Sequence, residues 1–117
     1  DFIGRDALAA RHETGDDWVF STLEVHGVTD VDARGSEAIY RNGTLVGRAT
    51  QGAYGWRVGK SSALAMLKPE HAALGTELEI RLLGKMHKVK VIDESPFDAK
   101  NERLRADVDA EGAVAAE

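Results

Sequence analysis

The sequence predicts a mainly β domain: a small antiparallel, barrel-like sheet of about six strands with a short N-terminal helix. Three observations carry that reading. Asn42-Gly43 sits between two strand-like runs, and it is the strongest short-range hairpin signal because a type I′ turn needs positive φ at both central residues. Glu77-Leu-Glu-Ile-Arg-Leu-Leu83 alternates charged with apolar side chains, the period of a strand with one wet face. Short runs of this kind, punctuated by glycine, recur along the chain as a sandwich or small barrel requires.

The elements run in order. Gly4 to about His12 is rich in helix formers, with Ala7, Leu8 and Ala10 on a narrow apolar face that should lie against the barrel. Gly15-Asp16-Asp17 ends it. Trp18–Val25 alternates as a strand, and a loop from Val28 to Gly35 comes next. The hairpin has arms near Glu37–Arg41 and Thr44–Thr50, after which Gly52 and Gly55 bracket Tyr54 in a loop. Ser61–Lys68 is ambiguous by pattern, but its Gly59-Lys60 start and Pro69 stop leave a length that favours a strand. Glu70–Leu74 suits one helical turn before Gly75. After Glu77–Leu83, Gly84-Lys85 turns the chain into Met86–Ile92, with Val89 and Val91 facing in and Lys88 and Lys90 facing out. The predicted core is Leu23, Val25, Ile39, Leu45, Leu64, Met66, Leu78, Ile80, Leu82, Val89 and Val91.

Composition bounds the function. The 117 residues make one ordinary domain with one core, and 43% hydrophobic with 30% charged residues describes a soluble globular protein. A net charge of −5 argues against nucleic acid, whose binders gather positive charge on one face. The lack of cysteine removes disulfides, thiol catalysis and zinc-thiolate sites together, and fits a cytoplasmic or mitochondrial-matrix protein. No run approaches the ~20 apolar residues of a membrane span. The first residue is Asp, which suggests a piece of a longer polypeptide. Residues 1–106 read as the folded domain and 107–117 as a disordered, acidic, alanine-rich tail.

Conventional catalytic constellations are absent. His12, His26, His71 and His87 lack short metal-ligand spacing. Gly59-Lys60-Ser61 ends like a phosphate loop but lacks its upstream glycine and leads into a strand. Glu70 and Glu94, at turn positions, read as solvated carboxylates rather than an acid–base pair. Trp18 and Tyr40 read as core and barrel-end packing, whereas Tyr54 and Trp56 fit either packing or ligand stacking.

Several segments, in order, carry a family resemblance. They are Asp1-Phe-Ile-Gly-Arg-Asp-Ala-Leu8, Ile39-Tyr-Arg-Asn-Gly-Thr-Leu-Val-Gly47, Thr50-Gln-Gly-Ala-Tyr-Gly55, Gly59-Lys60-Ser61, Leu64–Glu70, Gly75–Ile80 and Ser95–Arg105. Together they resemble the C-terminal barrel domain of the glycine-cleavage T-protein (aminomethyltransferase) family over about residues 1–106. The Ser95-Pro-Phe-Asp and Asn101-Glu-Arg-Leu-Arg ending is most similar to the folate-dependent tails of dimethylglycine and sarcosine dehydrogenases. The chain departs from the pattern at Asp16-Asp17, where many relatives carry basic residues, and at Gln51, where the family's loop has serine.

The resemblance implies tetrahydrofolate held in a hole bounded by three domains, where it captures a one-carbon unit from a small-molecule amine donor. The carboxylate that positions the folate would lie in N-terminal domains of the same polypeptide that this chain lacks, and an FAD domain further upstream is compatible with it. This domain would then support the site without performing the chemistry, and alone it should be inert. A purely structural barrel that never touches a ligand is the alternative. For the anionic folate tail the resemblance points to Arg103, with Arg105 on the same side if that segment is extended. Tyr54 is a candidate wall of the central hole. The competing reading has both arginines merely paired with Asp98, Glu102 or Asp107.

Overall fold

Six strands close on themselves in the spatial order β1-β4-β3-β2-β5-β6, and every neighbouring pair is antiparallel. They are β1 (Val19–Val25), β2 (Ala38–Arg41), β3 (Thr44–Gly55), β4 (Lys60–Leu67), β5 (Glu77–Leu82) and β6 (Lys85–Ile92). Helix α1 (Arg5–Thr14) precedes the barrel, a 3-10 turn over Pro69–His71 joins β4 to β5, and α2 (Glu102–Arg105) follows β6. This computed structural model describes residues 2–28 and 30–105; the acidic tail expected over 107–117 lies outside them.

The two tight hairpins share one geometry. Asn42 and Gly43 have φ of 50° and 78°, as the sequence predicts for a type I′ turn, and Leu83 and Gly84 have 45° and 80°. The second turn thus falls one residue earlier than Gly84-Lys85, because Lys85 already pairs with Leu82. Closure leaves no free sheet edge among the paired strands, so a small domain needs no other device to protect one.

Inside the barrel lie Leu23, Val25, Ile39, Leu78, Ile80, Leu82, Val89 and Val91, as the alternation predicts. Three expected core residues do not join them: Leu45 is exposed, and Leu64 and Met66 are only half-buried on the outer face. Val46, Ala49, Ala63, Ala65 and Leu67 fill the interior instead. Two irregularities in β3 explain the slip there. Between Ile39↔Gly47 and Tyr40↔Leu45, Val46 is an extra residue, and Thr50 is another between Ala49 and Gln51. Each bulge reverses the inside–outside phase of the residues beyond it. Gly47 shows how close β3 comes to β4: a Cβ there would meet the Met66 carbonyl oxygen at 2.5 Å.

The opening helix departs from expectation more plainly. No residue of α1 is buried, so it does not rest on a barrel face. Its ion pairs run from Arg11 to Asp16 and Asp17, at 3.1 and 3.0 Å, in the turn after the helix. Exposed pairs of this kind add little. Trp18, expected in the core, is exposed; Tyr40 is half-buried on the outer face with the Arg81 guanidinium 5.7 Å from its ring centroid.

Candidate functional site

Tyr54 lies in β3, not in a loop. The strand runs on to Gly55, and Tyr54 pairs with Ser61 of β4. The glycines around it are strand residues, which fixes the ring more firmly than a mobile loop would. Its edge meets Trp56 in a T-shaped contact with centroids 4.9 Å apart. Trp56 is 88% exposed, so the indole ring stands open to solvent while Tyr54 is half-buried beside it.

On its other side Tyr54 borders a cleft of about 250 Å3, shared with Glu24, His26, Val28, Lys60 and Ser61. The Lys60 Nζ donates to Glu24 Oε2 at 2.8 Å, and His26 Nε2 stands 4.0 Å from Glu24 Oε1. A carboxylate held by the Lys60 ammonium is a paired group rather than a free base. Another cavity, about 300 Å3, lies between the Arg41-Asn42 turn and the outer faces of β5 and β6, and none of the sequence-predicted site residues lines it. Its Glu77 and Glu79 stand directly opposite Lys90 and Lys88 in the β5–β6 register, so it is lined by charges of both signs.

Arg103 reaches this neighbourhood through a phenylalanine. After β6 the chain is fastened by the Thr22 hydroxyl, which donates to the Glu94 carbonyl at 2.9 Å. It then brings Phe97 beneath two guanidinium groups, Arg57 at 5.0 Å and Arg103 at 5.9 Å from the ring centroid. Arg57 directly follows Trp56 in the β3–β4 turn, so the Phe97 contact reaches the same hairpin end that carries the Trp56–Tyr54 pair. Asp98 is occupied otherwise: its carboxylate accepts the backbone N–H groups of Glu102 and Arg103 at 2.7 and 3.2 Å and so starts α2. Among the described residues neither Arg57 nor Arg103 is ion-paired with a carboxylate.

The structure separates Arg105 from Arg103. Their segment is helical, not extended, and residues two apart on a helix differ by about 200° around the axis. They therefore point to opposite sides, and only Arg103 turns to Phe97. Sequence reasoning missed Arg57. Its signal was position alone, next to the exposed tryptophan in a turn that the structure shows to be the tip of the β3–β4 hairpin. Among the described residues no group of three or more His, Cys, Asp or Glu side chains gathers to hold a metal, and no helix is long and apolar enough to cross a membrane.

Comparison with known proteins gives this arrangement a context. A family described as the glycine cleavage T-protein C-terminal barrel domain matches residues 19–98. The chain is 36% identical over 106 residues to 4-methylaminobutanoate oxidase (formaldehyde-forming) of Paenarthrobacter nicotinovorans, a match covering 89% of this chain and 12% of that one. It is 35% identical to human mitochondrial dimethylglycine dehydrogenase, covering 80% of this chain and 11% of the relative. An aminomethyltransferase of Symbiobacterium thermophilum is 36% identical, with 83% and 25% covered. The solved aminomethyltransferase T of the Bartonella henselae glycine cleavage system shares the fold, with a TM-score of 0.70 at 22% identity over 80% of this chain and 26% of that one. The chain thus spans between about a tenth and a quarter of the length of these proteins.

Proposed function

The chain belongs to the family of the glycine cleavage T-protein C-terminal barrel domain, and from that premise we propose that it is the folate-supporting wall of a tetrahydrofolate-dependent, aminomethyltransferase-like enzyme. The observation that carries the reading is the pair of guanidinium groups, Arg57 and Arg103, gathered on Phe97 at the hairpin end that also carries the Tyr54–Trp56 pair. Its chemistry fits the ligand. Guanidinium groups pair with the carboxylates of a folate tail, and the exposed Trp56 ring suits stacking of a flat aromatic ring. Bound tetrahydrofolate supplies the amine nucleophile that captures a one-carbon unit from a glycine-type or N-methyl amine donor.

The barrel's own part is to hold and to exclude. A closed sheet is a rigid mount, and orientation of an amine against an electrophilic carbon is worth several kcal/mol, roughly 7–11 in well-aligned cases. Donor contacts and the positioning carboxylate belong in this proposal to the N-terminal domains of the same polypeptide, and an FAD domain upstream suits a dehydrogenase-like parent. The 117 residues alone perform no transfer. The human relative named mitochondrial is consistent with a matrix location in a eukaryote, and a bacterial protein of this kind would be cytoplasmic.

A second reading has one observation in its favour: both arginines already have a structural use, stacked on Phe97 and fastening the C-terminal segment. The barrel would then brace the enzyme without touching ligand. Arg103→Ala in the full-length enzyme separates the two. A weakened dissociation constant for polyglutamylated folate, with folding and donor oxidation unchanged, supports the folate wall. An unchanged constant overturns it.

A further inference from the structure

The barrel's outer surface is divided by chemistry. On β5 and β6 the outward positions include Glu77, Glu79, Arg81, Lys88 and Lys90, with Glu77 opposite Lys90 and Glu79 opposite Lys88, a charged surface suited to water. On β1 and β4 the outward face divides along its length: one end carries Glu24, Ser62 and Lys60, with Lys60 paired to Glu24, and the other end is apolar. Phe20 stands directly across from Met66, Leu64 follows, and Trp18 leads into the strand two residues before Phe20. Trp18 is 46% and Phe20 58% exposed. Phe20, Ile92 and Leu74 border a cavity of about 270 Å3 that continues the same face. Large aromatics bring about 150–250 Å2 each, and a soluble domain rarely leaves so many together in water.

We propose that the Trp18–Phe20–Met66 face is the seat of the rest of the polypeptide, an apolar surface of the domains that precede the barrel. The inference rests on the reading of this chain as the C-terminal part of a longer enzyme. Two observations select that occupant. In the relatives compared, the matched stretch is 11–26% of the protein, so roughly three quarters or more of each lies beyond the barrel. Phe2, just before helix α1, and Leu8 within it are also exposed, and none of the helix's ten residues is buried. A helix that short is unstable alone in water and needs a neighbour. It stands immediately before Trp18, on the side from which a preceding domain must arrive, so one neighbour serves both.

The two methionines of the chain provide an internal control, Met66 on the apolar face and Met86, 42% exposed, beside the charged one. The test is side-chain oxidation footprinting of the complete polypeptide without folate, read at Trp18, Phe20, Met66 and Met86. After correction for intrinsic reactivity, oxidation of Trp18, Phe20 and Met66 should be several-fold slower than that of Met86. Phe20→Asp should raise the rates at Trp18 and Met66, whereas Lys88→Ser on the charged face should leave them unchanged. Oxidation of Trp18 and Phe20 at the rate of Met86 overturns the proposal. So does protection that disappears on dilution together with a halving of the sedimented mass, which makes a second copy the occupant. Folate affinity enters neither readout, so this inference and the folate reading can fail separately.

Discussion

The guanidinium of Arg57 stands 5.0 Å from the centroid of the Phe97 ring, and that one contact joins the tip of the β3–β4 hairpin to the segment after β6. Arg103 adds a second cation at 5.9 Å. The ring is therefore a clasp between parts of the chain 40 residues apart in sequence, by the numbers 57 and 97.

Phe97→Ala should open that clasp without disturbing the barrel. Each exposed cation–π contact is worth about 0.5–1 kcal/mol, so losing two accelerates amide exchange at Glu102 and Arg103 by roughly tenfold. The thermal midpoint of the barrel should stay within a few degrees, since Phe97 is outside the core. Phe97→Tyr keeps the ring and should keep the protection. Exchange unchanged in Phe97→Ala would show that Asp98 holds α2 unaided.

How far the sequence could be read depended on whether alternation ran unbroken. In β5 and β6 it did, and Leu78, Ile80, Leu82, Val89 and Val91 all face inward. In β3 the bulges at Val46 and Thr50 place two buried residues, Val46 and Gly47, side by side and then two exposed ones, Thr50 and Gln51. No single phase describes such a strand. In β4 the phase was regular but the larger side chains lay on the wrong side of it: Ala63 and Ala65 fill the interior, and Leu64 and Met66 face out. Size suggests the core only when the outer face is wet, and this outer face is not. Tyr54 and Arg103 were legible as candidates, and the structure sets Tyr54 against Trp56 and Arg103 against Phe97. Arg57 was not, because its link to Arg103 passes through a phenylalanine remote in sequence.

Glu37 ties stability to pH. Burial pushes its carboxyl up, but the backbone N–H groups of Arg34 and Gly35, each donating at 2.8 Å, outweigh that and hold it below the ordinary 4.5. A carboxyl depressed in the folded state stabilises above its unfolded pKa and loses that contribution as pH falls through the folded value. Near pH 7, Glu37→Gln should cost about 1 kcal/mol. That is below the roughly 1.5–3 kcal/mol of a hydrogen bond to a charged group, because Glu37 is only half-buried and the Gln carbonyl oxygen can still accept one N–H. Denaturant titrations from pH 7 downward should show the two proteins converging as the pH drops below the ordinary glutamate value. A gap that stays constant with pH would sink the assignment.

The two type I′ turns differ in one residue and supply the last prediction. Asn42 and Leu83 hold nearly the same φ, 50° and 45°, each followed by glycine. Asn tolerates this left-handed conformation because its short polar side chain bonds locally, while for Leu the Cβ crowds the following carbonyl at a cost of about 1–2 kcal/mol. Leu83 recovers nothing by packing within the barrel, since it is 84% exposed. Leu83→Asn should therefore stabilise the domain by about 0.5–1 kcal/mol, a rise of a few degrees in thermal midpoint. Asn42→Leu should lower it by a similar amount. Because both changes sit at exposed hairpin tips, the unfolding slope in denaturant should not move. If Leu83→Asn destabilises the chain, Leu83 makes a contact in the native state that the barrel alone does not contain, and the turn strain argued for it is not the dominant effect.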